Sequence, residues 1–309
     1  MAAVLLWNGP RQGADDAPSR ARARDWAEIQ ERMLVPLYEA VHERLGVGPL
    51  TRLLGLGCGS GLALLMAACR GAAVTGADPD GERLELARQR LLPDEWQAGP
   101  TRTALVHGGP GAVERAAPPE RPFNLVTLLE PWPACGPGGA GPGGTREADL
   151  AAAARLAEPG SPVVLAGPDP SGRCETAAVL RLAARLAEPR CGGKARRDAP
   201  EGPDAAEGPG TAEGPGTAEG PGTAEELEGP ALRAGLRPQG SWRVACPFAY
   251  PDQESAVRGL LSTGWFDAAV ESAGARQVDK ELREVLHPFR RPDGTVRMEN
   301  DFRYLVARV

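Results

Sequence analysis

The chain has 309 residues, 42% of them hydrophobic and 25% charged, which suits a globular protein able to bury one large core. Its 35 basic and 41 acidic side chains leave a formal charge of −6 with no long basic run, so nothing lines up to neutralise phosphates, and neither nucleic acid nor an anionic membrane is expected as partner. No stretch approaches the ~20 apolar residues of a membrane span, and Met1–Trp7 lacks the basic start of a signal peptide.

Aromatics make up only 5% while glycine (40) and proline (31) are abundant, so part of the chain is expected as loop. The six cysteines are scattered without a CxxC pair and there are three histidines, so no zinc-site spacing is present and a reducing cytoplasm is expected. In chain order, Trp26, Ile29, Met33, Leu34, Leu37, Val41 and Leu45 fall on one helical face and predict a helix over Arg24–Leu45. Strands are predicted at Arg52–Leu56, Ala73–Ala77, Thr103–Val106, Phe123–Leu129 and Pro162–Ala166. Helices are predicted at Gly61–Cys69, Glu82–Leu91, Ala148–Ala157 and Glu175–Leu186. This alternation predicts βαβ units and a mainly parallel sheet covered on both faces.

The pattern breaks between Arg190 and Gly229, where Glu-Gly-Pro-Gly-Thr-Ala repeats three times within Glu207–Glu225. Gly-Pro in each copy blocks helix and strand, and the segment has almost no apolar surface, so it is expected as a flexible acidic insertion. Beyond it, a helix ends at Leu232–Leu236, a strand is predicted at Trp242–Phe248, and helical spacing returns at Ser255–Leu261, Phe266–Ala273 and Val278–Leu286. Asp293-Gly294 is a hairpin signal before a final strand, Phe302–Val309, and the pair it joins is expected to give the sheet an antiparallel edge.

The segment Leu53-Leu54-Gly55-Leu56-Gly57-Cys58-Gly59-Ser60-Gly61 runs from a strand through a glycine turn into a helix. Gly57, Gly59 and Gly61 allow backbone to approach a ligand closely, and the helix N-terminus offers unpaired N–H groups to a carboxylate. Asp78, at the end of the next strand and followed by Pro79-Asp80, is placed to accept hydrogen bonds from both ribose hydroxyls of a nucleoside. In that role it is expected to matter for ligand binding and little for folding. A turn that merely tightens a strand–helix connection is the simpler alternative. The third glycine falls one residue early for a dinucleotide turn, and no P-loop lysine is present, so NAD, FAD, ATP and GTP are poor fits.

Leu56-Gly57-Cys58-Gly59-Ser60-Gly61 resembles the first motif of class I S-adenosylmethionine-dependent methyltransferases, and Gly76-Ala77-Asp78 resembles the second. Trp7-Asn8-Gly9, Pro168 to Cys174, Pro247–Asp252, Arg258–Ser262 and Pro288–Tyr304 are similar to a bacterial small-molecule branch of that family. The resemblance implies a Rossmann-like class I methyltransferase fold, an α/β sheet with helices on both faces, and S-adenosylmethionine as cofactor. It implies cofactor contacts at Gly57, Cys58, Gly59, Gly61, Asp78, Pro79, Gly109 and Glu130, with no metal.

Departures from the family pattern are Gly55 and Gly109, where acids usually face the ligand's ammonium and adenine amino groups, and Asn124 in place of aspartate. Glu130 stands where asparagine is usual. The expected organisation is an N-terminal helical segment or lid at 1–50, a cofactor-binding core at 51–190, a disordered insertion at 191–226, and the rest of the same domain at 227–309.

His107 is a candidate base or a structural histidine. Glu130 replaces a lost acid, acts on the acceptor, or is a solvated loop acid. Trp7 and Trp132 wall an acceptor or pack the N-terminal segment, and Cys58 is expected to pack. Three functions fit: a methyltransferase for a small, apolar or aromatic acceptor, a relative that binds ligand or partner without transfer, and an enzyme of other chemistry on this fold.

Overall fold

A computed structural model describes residues 17–92, 103–116, 122–129, 146–169, 173–188 and 223–309. Glu130, Trp7, Trp132 and nearly all of the repeat insertion lie outside them. Nine strands are found among the described residues: β1 Arg52–Leu56, β2 Ala73–Asp78, β3 Thr103–His107, β4 Leu125–Leu128, β5 Pro162–Pro168, β6 Arg237–Ala245, β7 Phe248–Tyr250, β8 Val296–Met298 and β9 Asp301–Arg308. The helices are α1 Ala17–Asp25, α2 Val35–Arg44, α3 Leu62–Cys69, α4 Gly81–Leu91, α5 Pro110–Ala116 and α6 Arg146–Leu156, then α7 Ala177–Ala187, α8 Thr223–Arg233, α9 Gln253–Ser262, α10 Asp267–Ala273 and α11 Ala275–Leu286.

Seven strands form one sheet in the order β3-β2-β1-β4-β5-β9-β6. The first five are mutually parallel, and β9 runs antiparallel to both β5 and β6. This is the expected Rossmann-like class I methyltransferase fold, with its antiparallel end. Alternate residues of each strand feed two cores. Leu53, Val164, Phe302, Tyr304 and Val306 face the layer containing α2, α3, α7, α9 and α11. Leu54, Leu56, Val163, Leu165, Leu305 and Ala307 face the layer containing α5, α6 and α8. Burial of both sheet faces explains why β5 reads as the unbroken apolar run Val163-Val164-Leu165-Ala166.

Four expectations need correction. The Asp293-Gly294 turn does not join the strands of the antiparallel end. It precedes β8, which pairs with β7 in a separate two-stranded sheet, while β9 pairs across the molecule with β5 and β6. The strand predicted at Trp242–Phe248 is two strands, because Pro247 lacks an N–H and the pairing breaks at Cys246-Pro247 between β6 and β7. The helix α8 begins at Thr223, so the last four residues assigned to the insertion are helical: good helix formers return at Glu225-Glu226-Leu227 once the Gly-Pro repeat ends. The helix predicted over Arg24–Leu45 is not uniform. Between α1 and α2 it passes through a π turn, Trp26–Gln30, and a 3₁₀ turn, Glu31–Leu34. A π turn inserts extra residues into the helical repeat and rotates the helical turns beyond it. The predicted apolar residues Trp26, Leu34, Leu37 and Val41 still end up buried, but so do the polar Gln30 and Glu31.

Candidate functional site

Strand order reverses between β1 and β4, so a crevice opens at the carboxyl ends of these strands, where ligands bind in open α/β sheets. The glycine turn lies at that point. Gly57, Gly59 and Gly61 have φ of 64°, 55° and 80°, a conformation that L side chains rarely adopt. Gly61 also admits α4: a Cβ there would stand 2.9 Å from the Cβ of Ala87. Cys58 N–H donates to the Ala77 carbonyl, and a Cβ on Gly76 would meet the Cys58 sulfur at 2.9 Å, so Cys58 packs against β2.

Asp78 is 2% exposed. Its Oδ2 accepts from the Gly59 N–H at 2.7 Å and its Oδ1 from the Asp80 N–H at 2.8 Å. Burial pushes its carboxyl above the usual carboxylate range, against the two backbone hydrogen bonds and nearby Arg83. The expectation that Asp78 has little part in folding is therefore corrected: it fixes the shape of the turn. Each oxygen still has acceptor capacity left, since an ionised carboxylate offers about four lone-pair sites. Asp80 caps α4, accepting from the Glu82 and Arg83 N–H groups, and Pro79 lies exposed between the two acids.

His107 is exposed, and its Nε2 sits 2.9 Å from the Pro79 carbonyl oxygen, a surface contact that closes the β2 and β3 ends. Gly109 has ordinary φ, and a Cβ there would lie 3.9 Å from Oδ1 of Asp149, a half-buried acid on α6 that sequence reasoning missed. Burial raises the Asp149 carboxyl. Asn124 lies at the amino end of β4, away from the crevice. Its Oδ1 accepts from Arg52 N–H at 2.7 Å and its amide donates to the Leu50 carbonyl, so it fastens β4 to β1 and is not a lost ligand contact.

Two further residues on the turn come from the N-terminal helical segment. Glu31, 1% exposed, accepts from the Ser60 hydroxyl, from Leu62 N–H at 3.3 Å and from the Arg90 guanidinium at 2.6 Å. It thus takes the free N-terminus of α3. Trp26, 1% exposed, lies flat under the Arg83 guanidinium, 4.3 Å from its ring centroid. A Cβ on Gly59 would meet Trp26 Nε1 at 2.8 Å and Glu31 Oε1 at 3.3 Å. Helical spacing marks Trp26 only as part of an apolar face. Glu31 carries no local signal, because its role depends on the π turn that rotates it inward.

Gly55, Leu56, Gly57, Cys58 and Gly59, with Trp26, Glu31, Tyr38, Ala63, Leu64, Thr127 and Leu129, enclose a cavity of about 20 Å³, room for about one water. The left-handed glycines, the spare acceptor capacity of Asp78 and the buried Trp26 Nε1, unpaired among the described residues, suit a polar nucleoside ligand. Among the described residues, no group of His, Cys, Asp and Glu side chains is placed to hold a metal ion, and no helix is long and apolar enough to cross a membrane.

No protein-family model and no curated protein matches the chain. Solved structures do resemble it. One is an S-adenosylmethionine-dependent methyltransferase of Thiobacillus denitrificans in complex with S-adenosylhomocysteine (18% identity, 97% of this chain and 100% of that one, TM-score 0.47). Another is an S-adenosylmethionine-dependent methyltransferase of Geobacter sulfurreducens, also with S-adenosylhomocysteine (18%, 90% and 91%, TM-score 0.43). A third is a protein of unknown function from Deinococcus radiodurans (14%, 96% and 99%, TM-score 0.47). The fold class stands on strand order and register.

Proposed function

We propose that the chain is a cytoplasmic S-adenosylmethionine-dependent methyltransferase acting on a small-molecule acceptor. One observation carries the reading. At the switch point of the sheet, three left-handed glycines form a turn whose Gly59 N–H is held by a buried carboxylate, Asp78, with acceptor sites to spare. That pairing gives a nucleoside a close backbone approach and an acceptor for its ribose hydroxyls. The bound cofactor supplies a methyl group already activated on a sulfonium, so the protein's task is alignment of the acceptor.

In this reading Gly57, Cys58, Gly59 and Gly61 shape the cradle, Asp78 with Pro79 flanks the ribose, and Gly109 leaves the adenine side to Asp149. Glu130, which lies outside the described residues, keeps its assignment to the cofactor or the acceptor on the resemblance alone. Tyr38, Thr127 and Leu129 give a largely apolar wall, which favours a small apolar or aromatic acceptor over a charged polymer. The net charge of −6 points the same way. His107, turned to the Pro79 carbonyl, is read as a structural contact. The described parts of 1–50, 51–190 and 227–309 work as one domain.

The test is mass spectrometry of small molecules released from the purified protein, followed by incubation with methyl-labelled S-adenosylmethionine and a panel of apolar and aromatic acceptors. Retained cofactor and label in an extractable product are expected. A protein that neither carries nor takes up S-adenosylmethionine or S-adenosylhomocysteine overturns the proposal.

A further inference from the structure

Resting on that reading, we infer that the N-terminal segment recognises the amino-acid end of the nucleoside ligand: Glu31 accepts from its α-ammonium, and the Trp26 indole N–H donates to its carboxylate. Two polar atoms of this segment converge on one face of Gly59. Trp26 Nε1 is buried and has no hydrogen-bond partner among the described residues, in a side chain 1% exposed. A buried donor without an acceptor is costly and rarely retained without a partner to come. It lies 2.8 Å from the position of a Cβ on Gly59, so only glycine keeps that space open. Arg83, stacked on the indole, holds the ring in this orientation.

Glu31 brings the complementary charge. Its Oε2 is taken by the Ser60 hydroxyl and the Arg90 guanidinium. Among the described residues its Oε1 has only the Leu62 N–H at 3.3 Å, long for a charged acceptor, and it faces Gly59. Among the described residues lining the cavity, Glu31 is the one acid, and Gly55, also lining it, offers no side-chain acceptor. A zwitterionic amino-acid group needs one anionic acceptor and one donor within a few ångströms of each other, and this pair provides both. With a cavity of about 20 Å³, the segment moves outward as ligand enters, and the stretch that leaves α geometry, Trp26–Leu34, is where that movement is least costly.

The test is titration calorimetry with two ligands: S-adenosylhomocysteine, and 5′-methylthioadenosine, which keeps the nucleoside and lacks the amino-acid group. Circular dichroism and melting curves first establish that each variant folds. Glu31→Gln is expected to weaken S-adenosylhomocysteine by roughly tenfold or more while leaving 5′-methylthioadenosine within about twofold of the parent. Trp26→Phe, which keeps an aromatic ring, removes the donor and gives up some buried volume, is expected to weaken S-adenosylhomocysteine by roughly threefold to tenfold with the same sparing of the shorter ligand. It decides alone if Glu31→Gln fails to fold. Equal weakening of both ligands, or unchanged S-adenosylhomocysteine binding in both variants, overturns the inference and leaves the proposed function standing. A parent protein that binds neither ligand overturns both.

Discussion

Asp78 and Glu31 hold the glycine turn from opposite sides, and each is held there by different groups. Asp78 belongs to the sheet, one strand away from the turn, and takes two backbone N–H groups, of Gly59 and Asp80. Parallel register fixes it: Leu56 pairs with Ala77, so the end of β2 cannot shift without β1. Glu31 arrives from a helical segment and takes a hydroxyl, one N–H and a guanidinium, mostly side chain to side chain. The sheet therefore sets the shape of the turn, and the N-terminal segment covers it. One wall is held mainly by backbone groups, and the other by side chains on an irregular helix.

Removing the rigid wall should have the largest effect. Asp78→Ala orphans the buried Gly59 N–H and the part-buried Asp80 N–H at once and is expected to cost about 2–4 kcal/mol of stability as well as ligand binding. Denaturant unfolding beside titration with S-adenosylhomocysteine checks both. Unchanged unfolding would show that the turn holds its shape without β2.

The N-terminal region carries its own weak point under acid. His42 on α2 is 1% exposed with neither ring nitrogen paired among the described residues, and burial, helped by Arg70, lowers its pKa to about 4. A depressed folded pKa means that stability is fully present above the unfolded value of about 6.5 and is lost as pH falls toward 4. The loss over that window is about 3 kcal/mol. Asp78 has the opposite sign: its raised carboxyl makes protonation favour the fold as pH falls. Unfolding measured across that range should show the loss in the parent and a flatter profile in His42→Leu. If the variant keeps the full loss, the acid sensitivity lies elsewhere.

Supplying the missing acids should help less than the family pattern suggests. A Cβ on Gly55 would press on Leu64 Cδ2 at 2.9 Å in the core, so Gly55→Asp is expected to cost about 1–3 kcal/mol without tightening ligand. Gly109→Asp has room, but it sets a second carboxylate beside Asp149, and binding is expected to change by less than about 1 kcal/mol. Tighter binding by either variant, read by calorimetry, would show that Glu31 and Asp149 do not fill those roles.

What sequence revealed of this site was the part built locally. A short apolar run, glycines at alternate positions and an acid at the end of the next strand are contiguous signals, and β1, β2 and the turn form where those signals lie. The other wall depended on long-range packing. Helical periodicity placed Trp26 and Leu37 in the core, but one irregular turn between them carried Gln30 and Glu31 inside as well, and no local residue type announces such a turn. Asp149 meets Gly109 only because α6 starts at the carboxyl edge of the sheet, forty positions later in the chain. Asn124 misled for the converse reason. It sits in a motif position, yet the start of a parallel strand lies at the end of the sheet away from the crevice.

Amide hydrogen exchange with and without S-adenosylhomocysteine tests the two-walled crevice most directly. The expected result is slower exchange at Gly57–Leu62 and at Trp26–Leu34 together, with α8, on the other face of the sheet, unchanged. Protection at the turn alone would leave the N-terminal segment out of the site, and protection at neither would contradict the crevice itself.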